Sequence, residues 1–133
     1  MGVGYVVELS GCLVRFLNVF YIWFFECVLS GCDFVIEAIR YDDQTGERQV
    51  TQRKDVFRQL EAVLSARSII ASNVSTVVVT ELAAEMEHQD RCIGLHFLSN
   101  VPDSHIIEIV RGLHTSDETF NKVCQFAKVI NHD

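Results

Sequence analysis

A chain of 133 residues with 49% hydrophobic composition can bury one sizeable core, which excludes a disordered protein and makes a single folded unit the expectation. Lys and Arg number 11 against 18 Asp and Glu, a net charge of -7 that disfavours attraction to nucleic acid or to anionic lipid, so any ligand must be held by local groups. The 5 cysteines (Cys12, Cys27, Cys32, Cys92, Cys124) include no Cys-x-x-Cys and form no zinc-ligand spacing with the 5 histidines, so neither a disulfide framework nor a metal site is predicted and the protein reads as reduced and intracellular.

Residues 1–30 differ in character from residues 31–133. From Cys12 to Leu29 the chain is almost wholly apolar and rich in aromatic residues (Phe16, Phe20, Tyr21, Trp23, Phe24, Phe25). A membrane span needs about 20 mainly apolar residues, and Arg15 and Glu26 lie near the ends of this run, where charge is least costly. Membrane association through residues 12–29 is therefore one reading, and a buried helix or helix-strand segment packed on a sheet is the favoured one. No basic region precedes the apolar run and no small-residue cleavage site follows it, which argues against a signal peptide.

From Cys32 onward the chain alternates in type. Asp33 to Ile39 is a short β-rich apolar run suited to a buried parallel strand. Tyr41 to Gln52 is polar, contains Gly46, and reads as an exposed loop. Val56, Leu60, Val63 and Leu64 fall at helical spacing and predict an amphipathic helix over 51–66. Strands are predicted over 68–71, 91–97 and 105–110, with a helix over 77–86 in which Leu82 to Met86 outweigh three valines. Pro102 lies between the last two strands, where a turn is needed. Thr115-Ser116-Asp117-Glu118 has the form of a capping box led by the threonine, and a helix should follow it to about residue 130. Strand and helix in this alternation predict an α/β fold with a mainly parallel sheet flanked by helices.

His96 and Glu108, 12 residues apart on two predicted strands, carry the chemistry. An imidazole beside a carboxylate can accept a hydroxyl proton while hydride leaves the adjacent carbon, and the carboxylate fixes the tautomer and stabilises the imidazolium. A purely structural pair is the alternative on these two residues alone.

The run Ser72-Asn73-Val74-Ser75, then Gly94-Leu95-His96-Phe97, then Glu108, then Arg111-Gly112 and Thr115-Ser116, resembles the L-3-hydroxyacyl-CoA dehydrogenases of fatty-acid β-oxidation. The resemblance implies the second half of a Rossmann-like NAD-binding domain over residues 31–133, NAD as cofactor and an acyl-CoA substrate, oxidised from L-3-hydroxyacyl-CoA to 3-oxoacyl-CoA. It implies His96 and Glu108 as the catalytic dyad, and Ser75 as the contact to the substrate oxygen; an N-cap is the serine's structural alternative. It further implies that Ala38, Arg53 and Asn73 lie along the cofactor. Ser99 stands where the family has an asparagine on the nicotinamide side, with Asn100 one position late. Cytoplasm, or mitochondrial matrix or peroxisome in a eukaryote, is the implied compartment.

Two parts of the family pattern have no counterpart here. A complete member begins with a strand, a GxGxxG turn and a helix that hold the cofactor pyrophosphate on backbone N–H groups; Gly2 and Gly4 match two of those glycines, but Val7 stands at the third and no apolar strand precedes Gly2. A complete member also continues into a helical domain that closes over the acyl-CoA, supplies another catalytic asparagine and forms the dimer. The expectation is a truncated dehydrogenase without the family's dimer interface, inactive alone, and the alternative is a noncatalytic remnant acting as a binding or membrane-associated module.

Overall fold

The computed structural model describes residues 6–9, 12–17, 29, 31–38, 46–73, 78–98 and 106–130. Six strands lie side by side in sequence order: β1 (Val6–Leu9), β2 (Cys12–Leu17), β3 (Phe34–Glu37), β4 (Ile69–Ser72), β5 (Cys92–Phe97) and β6 (Ile107–Arg111). The β2–β3, β3–β4 and β4–β5 pairs are parallel, and β1–β2 and β5–β6 are antiparallel pairs at the two edges. The helices whose bounds fall among the described residues are α1 (Gly46–Val63), α2 (Val79–Leu82) and α3 (Asp117–Ile130). This is the predicted α/β, Rossmann-like architecture.

Strand alternation divides the core into two layers. Val35, Ile70 and Cys92 lie in one row across β3, β4 and β5 and pack against Val56, Phe57 and Leu60 of α1 and Val79 and Leu82 of α2. One position along, Ile36, Ala71 and Ile93 form a row facing the other way, against Val123, Phe120 and Phe126 of α3, with Phe34 stacked on Phe126 at 4.9 Å between ring centroids. Leucine and phenylalanine side chains buried this completely contribute about 1.5–3 kcal/mol each.

The elements depart from their predicted bounds in four places. Strand β1, over Val6–Leu9, was not predicted; it pairs with β2, which takes up the start of the apolar run expected as a buried helix or helix-strand segment, and the pair closes at Leu9↔Cys12 with Ser10-Gly11, a turn dipeptide, between them in sequence. Among the described residues no helix is long and apolar enough to cross a membrane; residues 18–28, part of the stretch weighed as a span, lie outside them. Helix α1 begins at Gly46, so the second half of the expected loop is helical. Glu47, Arg48 and Gln49 are strong helix formers, so a polar composition suits a helix here as well as a loop.

The helix predicted over 77–86 is reduced to the single turn α2, entered from an extended Val78 and followed by a 3₁₀ turn over Ala83–Glu85. Valine and threonine at its start disfavour helix, and its first residue is pressed onto the sheet. The cap of α3 is also shifted by one residue. Ser116, not Thr115, accepts the Thr119 N–H at 3.1 Å, while the Thr115 hydroxyl donates to the Cys92 carbonyl at 2.7 Å and accepts from the Gly112 N–H at 2.8 Å. Thr115 therefore ties the end of β6 to the start of β5.

Gly94 is where α2 meets the sheet. A Cβ there would lie 2.9 Å from Val79 Cγ2 and 3.0 Å from Val110 Cβ, and β-branched valines are stiff at χ1. Gly94→Ala is expected to destabilise the fold by about 1–3 kcal/mol through overpacking, whereas Gly31→Ala, with open space around it, should change little. Urea unfolding of the two variants checks this, and equal midpoints would contradict it.

A second tie joins α1 to the turn before β5. Glu61 accepts the backbone N–H groups of Glu87 at 2.9 Å and His88 at 2.8 Å and pairs with Arg91 at 3.5 Å, while Arg91 also donates to the Ser65 carbonyl at 2.6 Å. Burial pushes the Glu61 carboxyl up, but the two N–H groups and Arg91 outweigh it and hold it below its ordinary value of 4.5. Burial first, then Glu61, pushes the Cys92 thiol up to about 12 against the opposing effect of Arg91. A carboxyl depressed in the folded state stabilises the fold above its unfolded value and loses that contribution as pH falls through its folded value. Stability should therefore decline as pH drops below 4.5, with a shallower decline in Glu61→Gln, as measured by thermal unfolding across pH.

Candidate functional site

The carboxyl ends of parallel strands are where α/β sheets bind ligands. On the face covered by α1 and α2, the apolar row Val35, Ile70 and Cys92 gives way toward that end to Glu37, Ser72, Gly94 and Val110, and beyond it to His96 opposite Glu108. The face thus passes from hydrocarbon to polar groups within two rows.

His96 and Glu108 are directly opposite in the β5–β6 register, and His96 Nδ1 lies 3.0 Å from Glu108 Oε2. The Leu98 N–H donates to the Ile106 carbonyl, so the two-residue alternation of an antiparallel ladder makes His96–Glu108 a pair that exchanges backbone hydrogen bonds. The two backbones are thereby locked under the two side chains. His96 is 20% exposed and Glu108 52%, so the pair sits at the surface with the imidazole partly sheltered. A carboxylate opposite Nδ1 selects the tautomer protonated on Nδ1 and leaves the Nε2 lone pair free to accept a proton.

The other residues expected at the site separate into three groups. Ala38 follows β3 directly and Asn73 follows β4 directly, both partly buried at the carboxyl end of the sheet. Ser75 and Ser99 lie outside the described residues. Arg53, expected along the cofactor, is 2% exposed, and its Nη1 lies 2.6 Å from Oε1 of the similarly buried Glu37. The second Glu37 oxygen accepts the Ser72 hydroxyl at 2.6 Å.

Glu37 and Ser72 were not among the expected site residues. Their signal was present: a lone acid inside the apolar run Phe34-Val35-Ile36-Glu37-Ala38-Ile39 demands a buried partner.

The sheet also shows how the residues fit NAD. Strand β2 precedes β3 in the chain and lies parallel beside it, as the phosphate-binding first strand of a Rossmann sheet lies beside a later parallel strand. The pyrophosphate-holding glycines should follow that strand, yet residues 18–30 contain no glycine. Side chains on every residue of that stretch do not fit a close backbone approach to phosphate.

Fold and dyad together describe a dehydrogenase cofactor domain of the Rossmann type. Residues 25–133 match the family described as 3-hydroxyacyl-CoA dehydrogenase, NAD binding domain, and the chain belongs to that family, whose cofactor is NAD. It is similar to a 3-hydroxybutyryl-CoA dehydrogenase of Bradyrhizobium diazoefficiens, 38% identical over 98 residues that make up 74% of this chain and 31% of the relative. It is similar to the human mitochondrial hydroxyacyl-coenzyme A dehydrogenase, 30% identical over 77% of this chain and 31% of the relative. The crystal structure of an (S)-3-hydroxybutyryl-CoA dehydrogenase from Ralstonia eutropha superposes with a TM-score of 0.67 at 32% identity, covering 80% of this chain and 35% of that one. The chain spans about a third of the length of the curated relatives it matches.

Proposed function

We propose that this chain carries the proton-transfer half of an L-3-hydroxyacyl-CoA dehydrogenase site, which oxidises L-3-hydroxyacyl-CoA to 3-oxoacyl-CoA in the complete protein. The observation that carries this reading is the 3.0 Å contact of His96 Nδ1 with Glu108 Oε2, on registered strands at the carboxyl end of the sheet, in a chain of this family. In it, His96 Nε2 would accept the proton of the substrate 3-hydroxyl as the hydride on that carbon passes to bound NAD and the carbon becomes a carbonyl. Glu108 holds the ring by Nδ1–H and stabilises the positive charge the ring gains, an arrangement that contributes about 10²–10⁴-fold in general acid–base catalysis. Ser75 contacts the substrate oxygen in this reading.

The 133 residues by themselves are expected to bind NAD weakly or not at all and to form no measurable NADH from an L-3-hydroxyacyl-CoA. Positioning of reactants accounts for roughly 7–11 kcal/mol of a barrier, and the stretch after β2 offers no glycine turn to do it. The lack of that turn also favours a second reading, a noncatalytic remnant that uses the fold to bind a partner. Titration of the chain with NAD, followed by an NADH assay, tests the expectation. Turnover that vanishes in His96→Gln would show the short chain to be a working enzyme.

A further inference from the structure

Parallel pairing between β4 and β5 ends at Ser72↔Gly94, yet β5 runs on through Leu95, His96 and Phe97. The β5–β6 ladder directs the N–H groups of Gly94, His96 and Leu98 toward β6, as the Leu98 N–H to Ile106 carbonyl bond shows, so the Phe97 N–H points to the β4 side, past the end of β4. A side chain meets it there. Asn73 Oδ1 accepts the Phe97 N–H at 3.1 Å, while the Asn73 backbone N–H donates to the Glu37 carbonyl at 2.7 Å. Asn73 thus extends the ladder by one rung beyond the last residue of β4. The peptide group it holds is the one between His96 and Phe97.

We infer that Asn73 is a positioning residue that fixes the His96–Phe97 peptide and so aims the His96 imidazole at Glu108. The inference rests on the proposed role of His96 but concerns geometry that exists with or without turnover. Glu108 holds His96 from the β6 side and Asn73 holds its backbone from the β4 side. Asn73 itself is anchored through Glu37, the acid that Arg53 and Ser72 grip, so the imidazole is referenced to the buried polar row of the sheet. With the carboxamide oxygen removed, the peptide loses its β4-side partner, and the ring is free to turn off the Nδ1–Glu108 axis.

The test uses the uniformly ¹⁵N-labelled 133-residue chain and does not depend on activity. In the unmodified chain the Phe97 amide should be protected from hydrogen exchange and the His96 ring, assigned with His96→Gln, should show a single Nδ1-protonated tautomer. Asn73→Ala should speed Phe97 exchange about five- to tenfold, the scale of one hydrogen bond, and convert His96 to a mixture of tautomers, while His88 and His114 and the α3 amides stay unchanged. Asn73→Asp, which keeps an acceptor oxygen, should retain both wild-type signatures. An unprotected Phe97 amide in the unmodified chain would overturn the inference, as would Asn73→Ala with an unaltered His96 ring, or Asn73→Asp behaving like the alanine variant. Should Asn73→Ala fail to fold, the Asp variant and the unmodified chain still decide. Preserved signatures in a chain whose completed enzyme shows no dependence on His96 would sink the catalytic reading and leave this one standing.

Discussion

Arg53→Met is expected to lower the unfolding free energy by about 3–5 kcal/mol, the usual consequence of removing one partner from a buried ion pair. The Glu37 carboxylate would stay in the interior with its guanidinium gone. Both side chains are 2% exposed or less and meet at 2.6 Å, so neither can turn to water without unpacking α1 from β3. The size of the effect comes from the stranded charge, not from the net worth of the pair. The double variant Arg53→Met with Glu37→Leu should therefore recover most of the loss. Arg58–Asp55, a pair half open to solvent on the same helix, should matter by no more than about 0.5 kcal/mol. Urea unfolding of the four proteins checks this account. A double variant as unstable as Arg53→Met would mean that packing, and not charge, sets the loss.

What could be read from the residues follows from how local each signal is. The α3 helix was legible because the start signal Thr115-Ser116-Asp117-Glu118 is contained within one segment, although its capping residue proved to be Ser116. His96 and Glu108 were legible because one hairpin register decides their meeting, and a 12-residue separation suits two short strands with a turn. Strand β2 was hidden because the mainly apolar run that starts at Cys12 satisfies a buried strand and a buried helix equally, and only the sheet beside β3 decides between them. The inward turn of Arg53 depends on Glu37, 16 residues away, and no local pattern shows which acid a helical arginine will find. The Asn73 to Phe97 contact depends on where β4 stops, the least certain feature of any strand read from residues alone.

The largest expected effect belongs to His96. The most direct measurement places the 98 residues of this chain that match the Bradyrhizobium 3-hydroxybutyryl-CoA dehydrogenase into that enzyme, in exchange for their counterpart, and follows NADH formation from L-3-hydroxybutyryl-CoA. The host supplies what the matched stretch does not contain, so the dyad is tested in a complete site, with NAD binding measured separately. We expect turnover in the exchanged protein and a fall of about 10²–10⁴-fold in kcat on His96→Gln, with NAD binding retained. A folded, NAD-binding exchange protein that is inactive, or one whose turnover is indifferent to His96→Gln, would contradict the assignment of His96 as the base.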